Sequence, residues 1–84
     1  MSDYAGLTRF IAEHIVGDRA ALAVDANRRG RTTIVEIRAA ESDMGKLIGK
    51  GGRNIEAIRA VVRAAGLRHH ERVQVELAGA PRRA

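Results

Sequence analysis

LIGKGGRNIEAI, residues 47–58, decides how the rest of the chain is read. Gly49, Gly51 and Gly52 put three glycines in four positions, with Lys50 among them and Arg53 next. Glycine tolerates positive φ and has no Cβ, so such a turn is tight and another backbone can approach it. Before it, ESDMGKLIG reads as a short helical segment. Glu41 and Asp43 fall in its first turn, where the helix dipole favours them, and Met44, Leu47 and Ile48 face inward together. After it, RNIEAIRAVVRAAG reads as a longer helix. Ile55, Ile58, Val62 and Ala65 keep the spacing of a buried stripe, and Gly66 marks its end. Two helices therefore meet at a cationic turn that leads into a helix N-terminus. Unpaired N–H groups and the positive end of the dipole favour an anion there. Lys50 and Arg53 add charge that converges on one small volume, which suits a phosphate.

Upstream, SDYAGLTRFIAEHIVG reads as a first helix with Leu7, Phe10, Ile11 and Ile15 as its apolar stripe, Ser2 or Asp3 as its cap and Gly17 at its end. LAVDANRRGRTTIVEIRA alternates with period two on both sides of a turn near Arg29–Gly30, which is a β-hairpin. Downstream, Val73, Val75 and Leu77 alternate with Gln74 and Glu76 in a last strand. The order is α-β-β-α-α-β. Because every strand alternates, one sheet face is apolar and all three helices belong on it. The expected fold is α+β, a two-layer sandwich of a three-stranded mixed sheet under three helices. Residues 1–79 form one domain, and residues 80–84 form a flexible C-terminal tail.

The 84 residues fit one compact domain. Charge is uneven along them. Residues 1–42 hold six basic and six acidic side chains, whereas residues 43–84 hold nine and four and carry the whole net +5. A basic half implies a polyanion partner such as nucleic acid. No cysteine is present, which excludes disulfides and thiol catalysis and fits the reducing cytoplasm. No apolar run approaches a membrane span, and the N-terminus shows no basic-then-apolar leader pattern. His69 and His70 are adjacent in a loop without a third ligand, so no metal site is expected. Neither a triad spacing, nor paired carboxylates, nor a cofactor loop is present, and no enzyme activity or small-molecule substrate is expected.

Two phosphate-binding motifs fail on spacing. A P-loop needs five positions between its glycines' numbers and a Ser or Thr after the lysine, but Gly45 precedes Gly49 by four and Gly51 follows Lys50. A dinucleotide fingerprint needs a third glycine where Asn54 stands, and a strand where a helix precedes the turn. The pattern that matches is I-G-x-x-G-x-x-I from Ile48 to Ile55, between two helices that are each flanked by a strand. It resembles the KH domain, whose GXXG loop clamps backbone nucleotides. The helix-strand-strand start is similar to the bacterial type II arrangement. The segment GRTTIVEIRA with DMGKLIGKGGRNIEAIRAVVRAA is similar to the KhpA (YlqC-like) family of small bacterial KH proteins.

That resemblance implies single-stranded RNA as ligand and no cofactor. It assigns phosphate contact to Gly49, Lys50, Gly51 and Gly52, with Arg53 and Arg59 beside them. Leu47, Ile48 and Ile55 become a helical groove wall, with Val73 and Val75 as the facing strand wall. It also makes residues 67–72 a variable loop from which Arg68 and Arg72, with His69 and His70, reach RNA. Family members form homodimers and pair with a second KH protein, KhpB (Jag or EloR). They are linked to RNA chaperone and regulatory roles and to cell shape and division. With few aromatics, base stacking on rings is scarce, so recognition rests on aliphatic contact, backbone hydrogen bonds and charge. The alternative is a KH fold kept chiefly as a dimerisation or assembly module with little RNA binding of its own.

Overall fold

The computed structural model describes residues 3–78. The expected tail at 80–84 and the candidate cap Ser2 lie outside them. Helix α1 spans Tyr4–Glu13, strands β1 and β2 span Ala23–Arg29 and Thr32–Arg38, helix α2 spans Glu41–Ile48, α3 spans Arg53–Arg68 and β3 spans Arg72–Ala78. Short 3₁₀ turns at Arg19–Ala21 and Lys50–Gly52 fill two of the connections. The strand order is β1-β2-β3, with β1 antiparallel and β3 parallel to the central β2. All three helices lie on one face: α3 packs over β3, α1 over β1 and β2, and α2 against α3. The α+β two-layer arrangement is therefore as the sequence implied.

The core lies between these layers. Val35 and Ile37 of β2 meet Leu47 of α2 and Ile58 and Val62 of α3, all fully or almost fully buried. Loss of such a side chain costs about 2–5 kcal/mol, for the lost transfer energy and the cavity left behind. Asp43 joins this layer from the first turn of α2. Its carboxylate accepts from the backbone N–H groups of Gly17 and Asp18, each at 3.0 Å, which fixes α2 to the segment after α1. Those two hydrogen bonds hold its pKa below the ordinary 3.8; burial opposes them, and the nearby Lys46 assists.

Three local expectations are corrected. Phe10 is 63% exposed, not core. The inward face of α1 is Tyr4, Thr8 and Ala12, spaced by four, and Phe10 lies about 200° round the helix from Thr8. Phe10 packs instead against His14, the two rings tilted by 58° with centroids 4.9 Å apart. Ile48 is exposed rather than inward-facing, because α2 turns Met44 and Leu47 to the core and ends beside it. Gly66 does not end α3, which runs on to Arg68. It is the point where α3 crosses the start of β3. A Cβ there would lie 2.7 Å from Val73 Cγ2 and 2.8 Å from the Glu71 carbonyl.

Candidate nucleic-acid interface

The chain leaves α2 at Gly49, with φ 77 and ψ 170, a backbone region essentially reserved for glycine. A Cβ at Gly49 would meet the backbone nitrogen of Asn54 at 2.8 Å. Arg53 N–H donates to Lys50 C=O, and two further hydrogen bonds close the turn. Gly52 N–H donates to Gly49 C=O at 3.1 Å, and the Asn54 side-chain amide donates to Lys46 C=O at 2.7 Å. Asn54 thus staples the end of α2 to the first turn of α3. Sequence reading passed over it, although an asparagine one position inside a helix that follows a glycine turn is a signal for such a staple.

Gly51 and Gly52 also have positive φ, 65 and 81, but nothing lies within 4 Å of a Cβ at either. The outer surface of the turn is open backbone. No side chain caps the α3 N-terminus behind it. Lys50 and Arg53 flank it, both exposed, and neither pairs with a carboxylate among the described residues. Glycine backbone with open space beside it, a positive dipole end and two cations without a carboxylate partner among the described residues converge at one place, which suits an anionic oxygen.

Beyond this turn a groove of about 850 Å³ runs between α3 and the free edge of β3, lined from Glu56 onward but by no residue of the turn itself. Gly66 sits against Val73, and Arg59 Nε donates to Val75 C=O at 3.1 Å, so α3 runs antiparallel to β3. The glycine turn therefore lies at the Ala78 end of the groove and Arg72 at the other. Since Val75 turns its carbonyl outward, the alternate residues Val73 and Leu77 present their backbone groups to the same edge. Arg59 lies across the groove, held also by Glu56 at 2.7 Å. Arg63, one turn further along α3, lines it with no carboxylate partner among the described residues.

The expected site residues divide by position. Gly49, Lys50, Gly51, Gly52 and Arg53 form the turn, and exposed Ile48 stands beside it. Leu47 is fully buried and Ile55 is 6% exposed, so both support the turn from beneath. Val73 and Val75 line the groove but bury their side chains in the core. The loop expected over 67–72 is only His69–Glu71: Arg68 is the last residue of α3 and Arg72 the first of β3. Arg72 lines the far end of the groove, while Arg68 does not line it. Arg63 was not foreseen as part of the site. Its spacing of four from Arg59 places both on one helix face, and that was the available signal.

A helix, a glycine turn and a second helix, set on a mixed sheet in the order αββααβ, define a type II KH domain. The chain belongs to the KhpA/KhpB KH-domain family, whose model matches residues 6–77. It is 41% identical over 71 residues to the RNA-binding protein KhpA of Caldanaerobacter subterraneus subsp. tengcongensis, covering 84% of this chain and 95% of that protein. It is 34% identical over 71 residues to the RNA-binding protein KhpA of Borreliella burgdorferi, covering 84% and 87%. Among solved structures, Era in complex with MgGDPNP and nucleotides 1506–1542 of 16S ribosomal RNA matches the fold with a TM-score of 0.61 at 20% identity. That match covers 90% of this chain and 30% of the Era chain.

Proposed function

We propose that this chain binds single-stranded RNA. The Gly49–Gly52 turn clamps the sugar-phosphate backbone, and the α3/β3 groove takes the bases of about four nucleotides. The observation that carries the proposal is the turn itself: unobstructed backbone at Gly51 and Gly52, a helix start with no side-chain cap, and Lys50 and Arg53 side chains with no carboxylate partner among the described residues. The relatives named RNA-binding protein KhpA support the same ligand. Bases entering the groove meet the outward backbone groups of Val73, Val75 and Leu77. Arg59 must release Val75 C=O as they do. Duplex RNA holds its bases stacked and paired, so single strands bind better. The chain is a binding protein rather than an enzyme, and it works in the cytoplasm on RNA regulation or as an RNA chaperone.

The test is Lys50→Asp combined with Gly51→Asp, assayed on a short oligouridylate at low salt. Loss of binding is expected with far-ultraviolet circular dichroism unchanged. Unchanged affinity in a folded variant removes the turn from the site.

One groove gives weak, salt-dependent binding, so a tight complex requires a second KH unit, in a homodimer or with KhpB, to raise the effective concentration. A second reading, an assembly module, draws on Val61 and Leu67 of α3, which are 47% and 68% exposed. Light scattering with and without RNA separates the two. An obligate dimer that retains no RNA at low salt favours assembly, and RNA retention favours the first reading.

A further inference from the structure

We infer that an RNA strand leaving the groove at its Arg72 end continues across the end of the sheet, onto a row formed by Arg72, Thr32 and Arg29, with Arg31 in the adjoining turn. This rests on the groove being an RNA site and lengthens its footprint beyond the turn and groove.

The cations of the described residues divide by pairing; Arg19 and Arg68, which also lack a carboxylate within 4.0 Å, lie off the path described here. Arg9, Arg28, Arg38, Lys46 and Arg59 each have a carboxylate within 4.0 Å. Arg29, Arg31 and Arg72 have none, like Lys50, Arg53 and Arg63 along the turn and groove. Strand register brings the first three together. Arg29 pairs with Thr32, and Thr32 with Arg72. Val35, Ile37, Val73 and Val75 are buried toward the helices, so by alternation Thr32 and Arg72, and Arg29 with them, lie on the opposite, open face. The two arginines flank the central strand with Cα atoms two strand spacings apart, about 10 Å. Arg31 follows in the two-residue turn.

A built frame fixes this end of the sheet to the groove. The Tyr4 hydroxyl donates to Glu71, whose other oxygen lies 4.0 Å from Arg28. Glu71 itself lines the groove just before Arg72. The hairpin tip and the mouth of the groove are thereby held against one another.

The rest of the open face sets the direction of the path. Asn27, Ile34 and Gln74 make the next row, which is neutral. The row after it is Asp25, Glu36 and Glu76, about 13 Å along the strands from the arginines; Glu36 pairs with Arg38 at 2.9 Å and Glu76 also lines the groove. The arginine row, whose cations have no carboxylate partner, attracts a polyanion more strongly than the acidic row, whose one neighbouring cation, Arg38, is paired with Glu36. The polyanion therefore crosses the strands at the sheet end and does not run along them.

The experiment compares labelled oligouridylates of four and ten nucleotides across a salt series, using the full chain, Arg29→Gln/Arg31→Gln, and Lys50→Asp. A longer strand gains affinity from its extra registers alone, so the salt slope is the diagnostic. Each neutralised phosphate contributes about 0.7 to the slope on a single strand. The full chain is expected to show a steeper slope on the longer strand. The hairpin variant is expected to leave the shorter strand unaffected and to reduce the slope on the longer one by about 1.4. Equal slopes for both strands, or a hairpin variant that binds the longer strand like the full chain, overturn the inference. If Lys50→Asp weakens both strands while the hairpin variant changes neither, this inference fails and the glycine-turn reading stands. If the hairpin variant alone weakens binding, the groove reading fails, and with it the continuous path proposed here.

Discussion

Gly49 and Gly66 are glycines because something stands in the way; Gly51 and Gly52 are glycines where nothing does. At Gly49 a side chain would strike the Asn54 backbone, and at Gly66 it would strike Val73 and Glu71. Both serve the fold. Gly51 and Gly52 bend the chain with positive φ and leave their outer surface free. An open glycine turn at a helix start with no side-chain cap is costly to keep without a ligand, since each glycine loses more backbone entropy than any other residue. The lesson is that glycine content alone does not mark a binding site. What marks one is glycine with vacant space beside unpaired charge.

The contrast is broken most sharply at Gly49. Gly49→Ala combines an unfavourable backbone region with a clash against rigid backbone, and about 3 kcal/mol of destabilisation is expected. For a domain of this size that lowers the thermal midpoint by roughly 12–24 °C. Gly66→Ala is next, at about 1–3 kcal/mol, because the Val73 side chain can yield but the Glu71 carbonyl cannot. Gly51→Asn, by contrast, is expected within about 1 kcal/mol of the natural chain, since asparagine tolerates the left-handed region and meets no neighbour. Chemical denaturation ranks the three. A Gly51 variant that unfolds as readily as the Gly49 variant breaks the distinction.

A finer test concerns the support beneath the turn. Asp43 has a lowered pKa, mainly from the Gly17 and Asp18 N–H groups. Its contribution to stability is complete above the unfolded-chain value of about 3.9 and is lost as pH falls from there through the lower folded value. Thermal midpoints between pH 6 and pH 2.5 are expected to fall more steeply for the natural chain than for Asp43→Asn. Parallel curves contradict this account of how α2 is held.

Much of the fold was legible because its signals are local. Alternation about Arg29–Gly30 gave the hairpin, and Ile55, Ile58 and Val62 gave the buried face of α3. The turn from Gly49 to Gly52 was legible for the same reason, being contiguous. What escaped depends on phase or on distant pairing. In α1, the stripe of Leu7, Phe10, Ile11 and Ile15 spans about 140° of the helix but is centred about 90° from the buried face of Tyr4, Thr8 and Ala12, so apolar periodicity pointed to the flank of that face rather than its centre. Small side chains are chosen there because α1 must approach the sheet and α3 closely, and spacing does not encode approach. Gly66 reads as a helix stop unless the position of β3 is known. The row of Arg29, Thr32 and Arg72 depends on the register between β2 and β3, which lie more than thirty positions apart and are set by tertiary packing.

Backbone amide chemical shifts followed during titration of the ¹⁵N-labelled chain with a short oligouridylate give the most direct measurement. The account predicts that Gly51, Gly52 and Arg53 move first and furthest, with Val73, Val75 and Leu77 following and the Phe10–His14 end of α1 still. A titration in which Gly51 and Gly52 stay fixed while RNA binds elsewhere contradicts it.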